Sequence, residues 1–263
     1  MIFLLNFHPI LSFSIVSAVS VFLALAGLIL VRKNFHEQYL QENHEVAGVI
    51  FNAFGLLYAV LVAFVVYVTW ISYDTAKKNI EMEVNKLADL YGDAEAFDEP
   101  LRTNIRTALT EYAKSVVDED WEVMANIKKR SKQGRDTYMA IWKVYTSVDV
   151  QTIKNAAMYS ESITQLNAMS EYRRLRRFSS RTSTPFVIWL ILLVGGVISI
   201  TYTYFFGTRH LKAQCIMTAS YTVMNVMVLF LIYILDHPFT GYTAISDEPF
   251  RTVLQMFTLR IGK

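Results

Sequence analysis

The residues with chemical potential in this chain are few and scattered. The histidines are His8, His36, His44, His210 and His237. His36-Glu37 and His44-Glu45 share one short polar segment and His210 lies in another, but their spacing matches no metal-ligand pattern. The reading favoured for them is solvated loop residues, so no metal site is expected. A single cysteine, Cys215, excludes an intrachain disulfide and a cysteine zinc site, and reads as a small packing residue. There is no glycine-rich phosphate loop, no His-Glu-x-x-His and no nucleophile elbow. No catalytic residue, no enzyme activity, no cofactor and no nucleic-acid partner are expected. The densest charge is the stretch Glu171–Arg181 (EYRRLRRFSSR). It admits two readings, an anion or lipid-headgroup site and a membrane topology signal, of which the second is the simpler.

The elements that must position these residues are dominated by hydropathy. Of 263 residues 53% are hydrophobic and only 18% charged, against about 25% charged in soluble domains. Four apolar runs, roughly 11–31, 46–73, 186–206 and 213–235, contain no Asp, Glu, Lys, Arg or His. Each can supply the ~20 helical residues that cross a hydrocarbon core. The first lacks a basic n-region and is longer than a signal-peptide core, so it reads as a retained span. The expected fold is an all-α integral membrane protein with four transmembrane helices and a helical insert between the second and third. The divisions are 1–73, 74–185, 186–235 and a tail 236–263.

Basic residues set the orientation. Lys77, Lys78, Lys86, Arg173, Arg174, Arg176, Arg177, Arg181 and Arg251 flank the insert and tail, whereas Arg32, Lys33, Arg209 and Lys212 occupy the short loops. The insert and both termini are therefore expected in the cytoplasm of a cell whose inner membrane holds the spans.

Three helical stretches are predicted in the insert. The first continues span two through residue 91 without Gly or Pro. The second carries a stripe of Leu101, Ile105, Leu109, Tyr112, Val116, Val123 and Ile127 and ends near Ser131-Lys132-Gln133-Gly134. The third is predicted as one helix from Asp136 to Phe178, about 60 Å long. Stripes of this extent ask for partners, which a homo-oligomer would supply.

Span two stands apart. Gly48, Asn52, Gly55, Ala59 and Ala63 make a face of small residues, beside which Leu56, Val60 and Phe64 step by four. A ring of such helices would form an apolar constriction that gates ions by dewetting. The competing reading places these side chains against lipid or neighbouring spans. The spans lack a charged group at membrane depth, which disfavours coupled transport. Gly195-Gly196, the one weak point in span three, reads as a close-packing site.

Several blocks carry a likeness to a known family. They are Gly48, Phe51, Leu57-Tyr58, Phe64 and Trp70; Glu83, Leu87, Leu90-Tyr91; Leu101-Arg102, Ile105-Arg106, Leu109 and Tyr112; Val116-Val117 and Asp120-Trp121; Pro185 with Trp189; Gly195-Gly196; and Leu235-Asp-His-Pro-Phe-Thr-Gly241 with Asp247-Glu-Pro-Phe250. Together they make the chain resemble the bacterial bestrophin-like membrane proteins and, more distantly, bestrophin ion channels. That resemblance implies a pentamer whose second span lines a pore for small ions, set in membrane lipid. It implies Leu56, Val60 and Phe64 at the constriction and Asn52 at the outer mouth. The dense acidic run of calcium-gated bestrophins is reduced here to Asp236, Asp247 and Glu248, the acidic residues left to contact a cation. The alternative function is a non-conducting scaffold that presents its helical insert to a cytoplasmic partner.

Overall fold

A computed structural model of the chain describes residues 7–35, 44–125, 133–206, 208 and 210–261. Nothing but helix and connecting turn occurs among them. His36-Glu37, Ile127, Ser131-Lys132 and Arg209 lie outside the described residues. Contacts divide the chain into two units, residues 1–73 with 183–237 and residues 74–182 with 238–263.

The first unit contains α1 (Pro9–Asn34), the N-terminal part of α2 (His44–Asp93), α7 (Phe186–Tyr202) and α8 (Leu211–Leu235). Each is long and apolar enough to cross a membrane. Most of their apolar surface is left uncovered, with Phe22, Leu57 and Phe186 all more than 70% exposed. A helix apolar all round is stable only when lipid or protein surrounds it. Proline at the first position of α1 needs no amide hydrogen bond there, and the His8 ring accepts from the Ile10 amide.

Small residues allow α2 and α7 to approach. A Cβ on Gly195 would stand 2.5 Å from the Tyr58 ring, and one on Gly196 would stand 2.8 Å from Asn225 Oδ1. The Tyr58 hydroxyl donates to the Leu192 carbonyl at 2.9 Å. Below this contact Val65, Leu192 and Ile232 form a buried cluster. At the other end of α7 three carbonyls, of Thr203, Tyr204 and Phe206, converge on one side chain. The Gln214 amide donates to all three at 3.0–3.3 Å, and its oxygen accepts from Arg32 Nε at 2.7 Å. Arg32, counted from the sequence as loop charge, thus completes a helix cap.

The second unit is built from the rest of α2, then α3 (Leu101–Ser115), α4 (Trp121–Ala125), α5 (Gln133–Thr146), α6 (Ala156–Ser179) and α9 (Glu248–Ile261). The α3 stripe is buried at Ile105, Leu109, Tyr112 and Val116. A π-turn, Val116–Asp120, follows it and shifts the register before Trp121.

The single long helix expected from Asp136 to Phe178 is two helices. Helix α5 ends at Thr146, a short 3₁₀ turn covers Val150–Thr152, and α6 starts at Ala156. The cause is local chemistry. Asp149 accepts from the Gln151 amide and Asn155 accepts from the Met158 amide, so both side chains cap new starts. Val150, Thr152 and Ile153 between them are β-branched and add little helical preference.

The last 26 residues belong to the second unit. Gly241 adopts φ 86°, a conformation that favours glycine. Beyond it α9 buries Phe250, Val253 and Phe257. Phe257 stacks on Tyr91 with centroids 3.9 Å apart.

Candidate functional site

The exposed edge of α2 is the first candidate. Leu56, Val60 and Phe64 are 67%, 62% and 64% exposed, and Asn52 is exposed one turn earlier. They share one side of the helix because each step of four residues turns it by only about 40°. The opposite side is used within the unit. Phe51 meets Tyr202, Phe206 and Tyr221, Phe54 stacks near Tyr58 and Tyr202, and Val65 is buried. Gly55 has open space where a Cβ would point.

The three acidic residues near the C-terminus do different things. Asp236 Oδ1 accepts from the Thr184 amide and hydroxyl, each at 2.6 Å, and Oδ2 accepts from Trp189 Nε1 at 3.4 Å. Its carboxylate therefore holds the entry of α7. Asp247 pairs with Arg251 at 2.7 Å, and Glu248 is exposed with its amide bonded to Ser246 Oγ. Among the described residues, no group of three or more His, Cys, Asp or Glu side chains is placed to hold a metal ion.

A second constellation lies in the core of the insert. Arg176 Nε donates to Glu83 Oε2 at 2.7 Å and Nη2 to Glu83 Oε1 at 3.2 Å. Nη2 also reaches Asp120 Oδ2 at 3.4 Å. The Tyr112 hydroxyl donates to Glu83 Oε1. Arg176 and Glu83 are fully buried, and the guanidinium carbon lies 5.5 Å from the Phe250 centroid and 5.9 Å from that of Trp121. Burial pushes the Tyr112 hydroxyl well above its usual range, and the Glu83 carboxylate adds to that. Burial works against the charge on Arg176, but Glu83, Tyr112 and Asp120 outweigh it and hold the cation more firmly than an ordinary arginine. This is a buried ionic core in which both Glu83 oxygens are engaged, whereas Asp120 Oδ1 has no hydrogen-bond partner among the described residues.

Two residues of the arginine cluster are thus not available for the surface role the sequence suggested. Arg176 is consumed by Glu83. Arg173 is buried, donates to the Gly134 carbonyl at 2.8 Å and lies 4.4 Å over the Tyr138 ring. Spacing carried a usable sign. Ser162, Leu166, Met169, Arg173 and Arg176 step by three and four and form one buried stripe.

Four membrane-length helices, with an all-α unit completed by the chain's last segment, define the class. Within it the family model for the Bestrophin-like domain matches residues 18–250, so the chain belongs to the bestrophin-like family. Solved structures share the fold. A bacterial bestrophin homologue from Klebsiella pneumoniae carrying one substitution matches with a TM-score of 0.74 at 12% identity, covering 94% of this chain and 99% of that one. The homologue phased with zinc gives 0.72 at 13%, covering 94% and 98%. Another single-substitution form gives 0.75 at 12%, covering 94% and 97%. No curated protein matches the chain.

Proposed function

We propose that this protein is a homo-oligomeric ion channel that conducts small inorganic ions passively along an axis lined by α2. Family membership supports a channel. The observation that carries the pore assignment is the exposed edge of α2, where Asn52, Leu56, Val60 and Phe64 remain uncovered while the other side packs within the unit. In this reading Leu56, Val60 and Phe64 form the constriction and Asn52 stands towards the outer mouth. The apolar rings would oppose wetting, so a small change in radius would switch conduction. Assembly as a pentamer follows from the likeness to bestrophins. In this reading the spans cross the inner membrane, and the distribution of basic residues supports a cytoplasmic insert and cytoplasmic termini.

Asp236 enters this reading as a structural anchor, because its oxygens are already engaged. The test combines mass and current. Protein purified in detergent should have the mass of several subunits and should carry current in planar bilayers under an ion gradient. A monomer, or a folded oligomer silent under every gradient tried, would sink the proposal.

A further inference from the structure

We infer that Arg174, Phe178 and Arg181, around the C-terminal turn of α6, bind anionic phospholipid headgroups at the membrane surface. This inference rests on the chain spanning a membrane and is independent of whether it conducts ions.

The structure divides the arginine cluster by task. Arg173 and Arg176 are buried in the core. Arg177 leans towards Asp120, with 3.7 Å between Nη1 and Oδ1. Arg174 and Arg181 are exposed and have no ion-pair partner among the described residues. Phe178 stands 65% exposed between them and Leu175 37% exposed beside them. Glu171, one turn back, is the only carboxylate in the stretch 171–181. The patch is therefore net positive. Arg177 registers this. Burial lowers its affinity for its proton, Asp120 opposes that, and Arg173, Arg176 and Arg181 reinforce it by repulsion.

Chain length locates the patch. Arg181 lies five residues before Phe186, the first residue of a membrane-length helix. Five residues reach at most about 18 Å. The headgroup layer on each side of the hydrocarbon is roughly 5–8 Å deep, and arginine side chains extend towards it. Guanidinium groups bind phosphate in a forked geometry, and a phenylalanine ring beside them is covered at the headgroup–acyl boundary. A free phosphate ion would satisfy the arginines but leave the Phe178 ring in water. A phospholipid satisfies both.

The experiment titrates the full-length, detergent-solubilised protein with phosphatidylglycerol or phosphatidylcholine of identical chains, followed by native mass spectrometry. Each surface arginine is worth about a fivefold factor for an anionic lipid, so Arg174→Gln with Arg181→Gln should weaken the tightest phosphatidylglycerol step roughly twenty- to thirtyfold. Binding of phosphatidylcholine should not change, and Arg174→Lys with Arg181→Lys should retain most of the affinity. Unchanged phosphatidylglycerol binding in the glutamine variant, or a parallel loss of both lipids, would overturn the inference.

Discussion

Arg176 and Glu83 are 93 residues apart in the chain and meet in two hydrogen bonds, the shorter 2.7 Å, with neither side chain exposed to solvent. Helix α6 is thereby locked to α2 by charge in the core of the second unit, with Asp120 and the Tyr112 hydroxyl beside the pair. Removing one partner leaves the other charged and buried, at a cost of about 3–5 kcal/mol. Arg176→Met or Glu83→Leu alone should therefore lower the unfolding midpoint sharply, read from the near-ultraviolet ellipticity of the buried aromatics. The double variant should recover a large part of the loss. If the two single losses simply add, the ion pair is not the unit that stabilises this core.

Phe64→Ala removes a ring from the proposed constriction while sparing the packed side of α2. Single-channel conductance in planar bilayers should rise, with oligomer mass unchanged. Phe51→Ala, on the packed side, should instead impair folding. Equal conductance for Phe64→Ala and the unsubstituted protein would remove Phe64 from the pore.

Gly195 admits no side chain against Tyr58. Gly195→Ala should destabilise the first unit by about 1–3 kcal/mol, the usual effect of overpacking. Tyr58→Ala in the same molecule opens the space, so the two losses should be less than additive. Additive losses would show that the clash is not the cause.

Asp93 is partly buried, and its carboxyl is raised above its usual range, first by burial and then by Asp89 and Glu161, against the pull of Ser162 and Lys86. The folded state therefore holds this proton more firmly than the unfolded chain does. Its contribution to stability is present in acid and is lost as pH rises through the raised value. Asp93→Asn keeps an acceptor for Ser162 and should raise the melting temperature at pH 7. The gain should shrink to nothing below about pH 4, where an ordinary Asp is itself protonated. A gain of the same size at both pH values would rule out titration of Asp93 as its source.

The spans were legible because membrane crossing depends on length and apolarity, which a sequence displays directly. The edge of α2 was legible because Asn52, Leu56, Val60 and Phe64 recur at one interval. Arg176 was misread because an arginine in a run of arginines resembles a surface feature. Only its register with Leu166 and Met169 distinguishes it, and its partner Glu83 lies on a distant helix. The break between Thr146 and Asn155 was missed for a different reason. Apolar spacing continues across it, and the capping by Asp149 and Asn155 overrides that pattern. Helix α9 was missed because Pro238, Gly241 and Pro249 mark the tail as irregular, whereas its buried residues follow them.

The stacking of Tyr91 on Phe257 sets an order of events at the ribosome. These rings are 166 residues apart, and at roughly 5–20 residues per second the first waits on the order of ten to thirty seconds for the second. In that interval the insert has been made, but the segment that closes its core has not. The third and fourth apolar segments emerge within the same interval. Closure of the insert therefore follows synthesis of the third and fourth apolar segments. A ribosome that stalls after Leu235 would leave Tyr91 without the Phe257 ring that stacks on it.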